Sequence, residues 1–359
     1  MSDQEEETFE GGEEEEVGDE GGAEEEDAQA EEEENPEEGD EEEKEEKEEG
    51  EEEEEEKIPE ILLSMEMIRD CISLLCKIGD GLAHAYVKLD VKDREITDIK
   101  ILTQFIHLRY IELTRNNLKD ISSLNCLTHL LTLKADQNML TSAKLDELPY
   151  LQSASFNHNR ITSTEGVNHP LLEQLSISFN DIHEVSGLDP VLLSRLHTLE
   201  LRGNKLESTA GITLPNLRNL FLGQNTIKKI EGLHGLEHLT TLHLRDNQLE
   251  NLDGFTDELK NLQYINLRGN NLTDMKETKK LQPLPKLRAL VLADNPIADE
   301  DDYRMETLIA LRKLERLDKD EYNDDERQEA EEIYEQRRAE ELAAEAQEEI
   351  ASDTEEIVE

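Results

Sequence analysis

An eleven-residue pattern, Leu-x-x-Leu-x-Leu-x-x-Asn-x-Leu, runs nine times in succession from Leu108 to Ile297. It limits the possible folds of this chain more tightly than anything else in it. The copies start at Leu108 (LRYIELTRNNL), Leu130, Leu151, Leu172, Leu196, Leu217, Leu239, Leu262 and Leu287 (LRALVLADNPI). Their asparagines are Asn116, Asn138, Asn159, Asn180, Asn204, Asn225, Asn247, Asn270 and Asn295, spaced 21–25 residues apart. A degenerate tenth copy, YVKLDVKDREI, precedes them with Arg94 in place of the asparagine.

A strand bearing this pattern points its leucines inward, to stack on their equivalents one repeat away. The Asn side chain can bond backbone groups left unpaired where the chain turns off the strand. Each copy is therefore one rung of a parallel α/β repeat solenoid, a leucine-rich repeat horseshoe with one concave sheet. A short repeat leaves only about ten residues for the return path, so the convex side is expected to carry turns and 3₁₀ segments. The two longest steps, 180 to 204 and 270 to 295, should bulge there. At roughly 4.8 Å per strand, ten strands give a sheet about 45 Å long.

A solenoid needs covers at both ends. In residues 58–81, Ile61, Met65, Ile68, Ile72 and Leu75 recur at helical spacing before Gly79 and Gly81, predicting an N-terminal cap helix over 61–78. The repeat region with its C-terminal cap is placed at 82–317, where Tyr303, Leu308, Leu311, Leu314 and Leu317 offer an apolar face. Residues 318–359 have few apolar anchors, Ile333, Tyr334 and Leu342 among them. They read as an acidic, mostly exposed helical tail, so deletion after Leu317 is expected to leave the fold intact.

Charge is distributed very unevenly. The chain carries net −53, yet residues 1–56 hold 35 acidic and 2 basic side chains while 57–317 hold 36 and 31. Such an arm, with Phe9 and Val17 as its only larger apolar side chains after Met1, cannot bury enough to order itself, so 1–57 are expected to be disordered. The balance argues against nucleic acid as a partner. No apolar run is long enough to span a membrane. Cys71, Cys76 and Cys126 are odd in number and not spaced as ligands, which fits a reducing cytoplasmic setting.

No catalytic or metal constellation stands out. There is no Gly-x-Ser-x-Gly, no Gly-Lys-Ser/Thr and no His-Glu-x-x-His, and His234 and His238 are separated by Gly235. The chain is therefore expected to be no enzyme and to need no cofactor. What remains is the concave surface. Two residues before the asparagine, the C-terminal repeats place Arg202, Arg245 and Arg268; four before it, Phe221 and His243; six before it, Tyr264. Arginine with exposed aromatics is the composition of interface hot spots, so these six are the candidate partner-binding residues. The alternative for the arginines is simple pairing with Glu200 and Asp246.

Segments outside the generic repeat carry a closer likeness. SLLCKIGDGLAHAYVKLDVKDREITDI, LTHLLTLKADQN, DELPYLQSASF and LPKLRALVLADNP followed by YR and LERLD resemble the radial-spoke leucine-rich repeat proteins of motile cilia and sperm flagella, across about 70–335. The resemblance implies a non-enzymatic scaffold in the cytoskeleton of the axoneme, with other radial-spoke proteins as partners. It transfers no active-site residues, and since tubulin surfaces are acidic like this chain, direct binding to bare microtubules is not expected. Acidic flanks on short repeats also resemble phosphatase-regulating and histone-binding nuclear proteins, whose concave pattern and flanking segments differ.

Overall fold

Every copy of the repeat becomes a three-residue strand with its middle side chain buried, because alternation across a strand leaves only that residue facing the core. In the computed structural model, which describes residues 59–79 and 81–356, the strands join into one sheet of thirteen, β1 to β13, in chain order. The expected disordered arm at 1–57 lies outside the described residues. The ten expected rungs are β2 (Ala83–Asp90), β3 (Tyr110–Glu112), β4 (Thr132–Lys134), β5 (Ser153–Ser155), β6 (Gln174–Ser176), β7 (Thr198–Glu200), β8 (Asn219–Phe221), β9 (Thr241–His243), β10 (Tyr264–Asn266) and β11 (Ala289–Val291). All pair in parallel and in register, so that Leu199, Leu220, Leu242 and Ile265 are neighbours in one buried row. Each such leucine contributes roughly 1.5–3 kcal/mol by leaving water.

The convex side is made of turns, with 3₁₀ segments at Lys100–Gln104, Ser122–Cys126 and Pro296–Asp299. The longest repeat accommodates its extra residues there as a short helix, α2 of this description, once the N-terminal helix is counted as α1 (Met65–Cys71); α2 spans Lys276–Lys279.

The N-terminal cover differs from the helix expected over 61–78. Only α1 is helical, capped by Ser64, whose hydroxyl accepts from the N–H of Met67 at 3.2 Å, and Ile68 is its buried anchor. Residues Ile72–Ile78 form β1, antiparallel to β2. Gly79 and Gly81, read as a helix stop, sit at φ +56° and +84° in the turn of this hairpin. The reason is tertiary. β2 extends beyond the rung, and its outward backbone groups would lack partners under a helix, whereas β1 supplies a ladder from Ile72–Leu89 to Ile78–Ala83.

The C-terminal cover also extends past Leu317. After α3 (Tyr303–Ala310), β12 (Arg316–Leu317) adds one more parallel strand, and β13 (Asp320–Glu321) turns back antiparallel. Between them Asp318, at φ +56°, folds its carboxylate over the last full rung. It accepts from the N–H groups of Leu292 and Ala293, both at 2.8 Å, and from the Tyr303 hydroxyl at 2.9 Å. Burial, together with the Asp318 carboxylate, raises the Tyr303 hydroxyl far above the usual phenol range.

The tail is helical and mostly exposed as expected, but its start is anchored to the fold. α4 (Asp324–Glu356) starts with a reciprocal cap, Asn323 Oδ1 accepting from the Glu326 N–H and Glu326 Oε2 from the Asn323 N–H, each at 2.9 Å. Its first turns dock on α3 and the loop after it. Ala330 is buried, Ile333 and Tyr334 pack on the core, and Arg312 stands 4.1 Å over the Tyr334 ring. Arg304 reaches Glu326 at 2.6 and 3.1 Å while lying over Tyr322. The expected boundary at 317/318 therefore cuts through the cap, and from residue 335 to 344 every side chain is exposed. Sparse apolar residues misled because arginine–carboxylate pairs and ring stacking do much of the docking.

Candidate partner interface on the concave sheet

The nine asparagines stand on the inner flank of the sheet, all at most 8% exposed. Asn204 is representative: its Nδ2 donates to the carbonyls of Leu201 in its own rung, at 3.0 Å, and Ile177 in the rung before, at 2.9 Å, while its Oδ1 accepts from Ile182 N–H at 3.1 Å. Asn225, Asn247, Asn270 and Asn295 repeat this arrangement toward the C-terminus, and Asn116, Asn138, Asn159 and Asn180 toward the N-terminus. Each ties two rungs together, so the strand positions beside them hold fixed orientations.

On that support the six candidate residues occupy four adjacent rungs. Phe221 and His243 are register partners and stack with ring centroids 4.7 Å apart; His243 meets Tyr264 of the next rung at 5.1 Å. Burial pushes the Tyr264 hydroxyl above its ordinary value. The arginines line the adjacent flank and are oriented by neighbours. Arg202 Nε donates to Gln224 Oε1 at 3.1 Å, Arg245 lies 3.1 Å from Asp246, and Arg268 pairs with Asp294. The simple-pairing alternative thus holds for Arg245 with Asp246, but Glu200 accepts from the Ser176 hydroxyl instead. Pairs exposed like these contribute about 0–1 kcal/mol, so they preset the guanidinium planes at little cost to breaking them.

Two residues that sequence reasoning passed over enlarge the surface. His158 and Phe179 stack almost parallel, 4.4 Å apart at 5°, and Arg202 stands 5.6 Å over the Phe179 ring. Both occupy the position immediately before the asparagine, where the backbone is left-handed (φ +53° and +56°) and swings the side chain toward the concave rim. The signal lies in FNHN and SISFN, in the column one residue before the asparagine and not in those two, four or six before it. With Asp136, Glu200 and Phe221 these residues line a shallow cleft of about 380 Å³. In the N-terminal half, Asp136 accepts from the Ser155 hydroxyl and the Asn157 N–H, fixing a polar floor.

Among the described residues no cluster of His, Cys, Asp and Glu is arranged to hold a metal ion, and no helix is long and apolar enough to cross a membrane. The surface offers rings, guanidinium groups and hydrogen-bonding side chains on a rigid sheet, which suits recognition of another macromolecule.

Comparison with known proteins agrees with this architecture. A family model described as leucine-rich repeat matches residues 193–347, through the docked part of α4. Leucine-rich repeat-containing protein 23 of Bos taurus is 56% identical over 76% of this chain and 79% of its own length; the Xenopus tropicalis protein of the same name is 56% identical over 79% and 81%. Among solved structures, a TLR13–ssRNA13 complex aligns with a TM-score of 0.51 at 22% identity, covering 69% of this chain and 39% of that one, a likeness of fold alone.

Proposed function

The chain belongs to the leucine-rich repeat-containing protein 23 family, and from that premise we propose that it is a structural component of the axonemal radial spoke, supporting the motility of cilia and sperm flagella. As a leucine-rich repeat protein it is an interaction scaffold. The proposal gives that scaffold a place, in the cytoskeleton of the cilium or flagellum, and partners, the other radial-spoke proteins. The observation that carries it is the similarity in segments outside the generic repeat, such as the hairpin at 72–90 and the LERLD turn that positions Asp318. One spoke protein is held on the concave C-terminal half through Arg202, Phe221, His243, Arg245, Tyr264 and Arg268, with His158 and Phe179 extending the contact. The rings and guanidinium groups are already stacked and paired before binding, so little side-chain entropy is lost on docking. Anchorage runs through these partners and not through the bare microtubule lattice.

The test is fractionation. Isolated axonemes washed in high salt should retain the protein together with the spoke components, and purified microtubules should not pellet it at low salt. Recovery in a nuclear or phosphatase-bound fraction, or saturable sedimentation with bare microtubules, would overturn the assignment.

A further inference from the structure

One rung interrupts the arginine row of the concave face. Two residues before the ladder asparagine every other rung, from Lys92 to Ala293, presents a side chain; Gly223, between Arg202 and Arg245, presents none. The backbone does not ask for glycine there. Gly203 and Gly269 sit at φ +68°, but Gly223 is outside the left-handed region. A Cβ on it would meet the Arg245 carbonyl at 3.2 Å, then only the stems of Arg245 and Arg202 at 3.9 and 4.0 Å. The missing side chain leaves a slot walled by two arginine stems.

Elsewhere in this column the backbone N–H donates to a side-chain oxygen of the adjacent rung. Asn157 donates to Asp136 Oδ1 and Ser178 to Asn157 Oδ1, each at 2.7 Å, and Ala293 donates to Asp318 Oδ1 at 2.8 Å. Beside Gly223 the adjacent rungs offer Arg202 and Arg245, which cannot accept. The Gly223 N–H accordingly has no acceptor among the described residues. Ser178 and Gly223 are the two buried residues of the column; the first has its acceptor and the second lacks one. Arg245 Nε is in a similar position, buried and 3.1 Å from Asp246 without a hydrogen bond. Arg202 engages only its Nε, with Gln224.

We propose that Gly223 is the floor of a carboxylate socket. A protein partner inserts one Asp or Glu side chain, an oxygen accepting from the Gly223 N–H and the charge meeting the guanidinium groups of Arg202 and Arg245. The inference rests on the reading of the concave face as the partner surface and adds the chemistry of the anchor. At Asn157 and Ala293 the fold supplies the carboxylate itself, from Asp136 and Asp318; at Gly223 the partner supplies it. A carboxamide would satisfy the N–H but leave both cations unanswered, so the socket selects charge as well as shape.

Two labelled peptides, GSLYDLYSG and its Asn counterpart GSLYNLYSG, are titrated into the full chain at about 0.15 M salt, which screens the acidic arm. Fluorescence anisotropy and the amide resonance of Gly223 follow binding. The Asp peptide should bind about tenfold or more tighter than the Asn peptide and shift that resonance. Gly223→Asp fills the socket from within. It should abolish the preference and weaken capture of the proposed spoke partner, at the melting temperature of the parent. Equal binding of the two peptides, or a preference that survives in Gly223→Asp, overturns the socket. So does equal capture of a spoke partner by the parent and Gly223→Asp, which leaves the concave reading standing. If the parent captures no spoke partner, the spoke reading falls and the peptide pair alone decides on the socket. Should Gly223→Asp melt below the parent, the Asp preference and the Gly223 resonance of the parent decide in its place.

Discussion

Arg337 and Glu306, 31 positions apart, meet in two parallel hydrogen bonds, Nη1 to Oε2 at 2.8 Å and Nη2 to Oε1 at 2.6 Å. The fork fastens the fourth turn of α4 to α3, and the Arg337 guanidinium holds the Glu306 carboxyl below the usual carboxylate range. Further along, α4 continues as a helix with exposed Leu342.

Truncation therefore has two different outcomes. A chain ending after Arg338 should melt within about 2 °C of the parent. One ending after Leu317 loses the carboxylate that caps Leu292 and Ala293, together with Tyr322 and Ala330 of the buried set. It should melt about 10 °C lower or more, or aggregate. Scanning calorimetry on both distinguishes a cap that includes the start of α4 from the dispensable tail that composition implied.

Changing Asn204 or Asn247 to Ala should lower stability by about 1–3 kcal/mol, since each substitution orphans carbonyls in two rungs and one N–H between them. Asp at either position should be similarly costly, because a carboxylate accepts but cannot donate to the carbonyls. Denaturant melts of the variants read this directly. Midpoints equal to that of the parent would remove the ladder from the account of stability.

His169, 1% exposed, accepts at Nδ1 from the Leu148 N–H at 3.2 Å, and burial lowers its pKa from 6.5 to about 4. The sign follows from the depressed value. The neutral ring is favoured in the fold, so its contribution is complete above about pH 6.5 and is lost as pH falls from there toward 4, by roughly 3 kcal/mol. Glu306 and Glu326, also lowered, lose theirs further into acid. Subtracting the melts of His169→Gln from those of the parent between pH 7 and 4 isolates the histidine term, which should appear as a pH-dependent difference confined to that window.

On the concave face, Arg245→Gln with Arg268→Gln should weaken capture of the proposed spoke partner about tenfold or more while leaving the melting temperature within a few degrees, since the pairs to Asp246 and Asp294 are exposed. Phe179→Ala should also weaken capture, by removing the ring under Arg202 and beside His158. Pull-down with spoke proteins from salt-extracted axonemes measures both. Undiminished capture by the Arg and Phe179 variants would move the contact off this face.

The sequence by itself determined the rungs. Leucine alternation and one asparagine per repeat are local and periodic, and each repeat reads the same whichever neighbours it stacks on, so strand positions, register and the inward row could be counted from Leu108 to Ile297. The aromatic and arginine columns followed from that count, and His158 and Phe179 were as legible as Phe221 in the column next to the asparagine. Both ends were decided elsewhere. Residues 72–78 have helical periodicity, yet they become a strand because the overhang of β2 needs backbone partners that a helix cannot offer. The tail looks polar and free, yet Arg304, Arg312 and Arg337 seat it on a surface created by α3 and its flanking loop. Periodicity records what a segment can do alone; at the ends of a solenoid the unpaired edge of its neighbour decides which option satisfies the most backbone and buried groups.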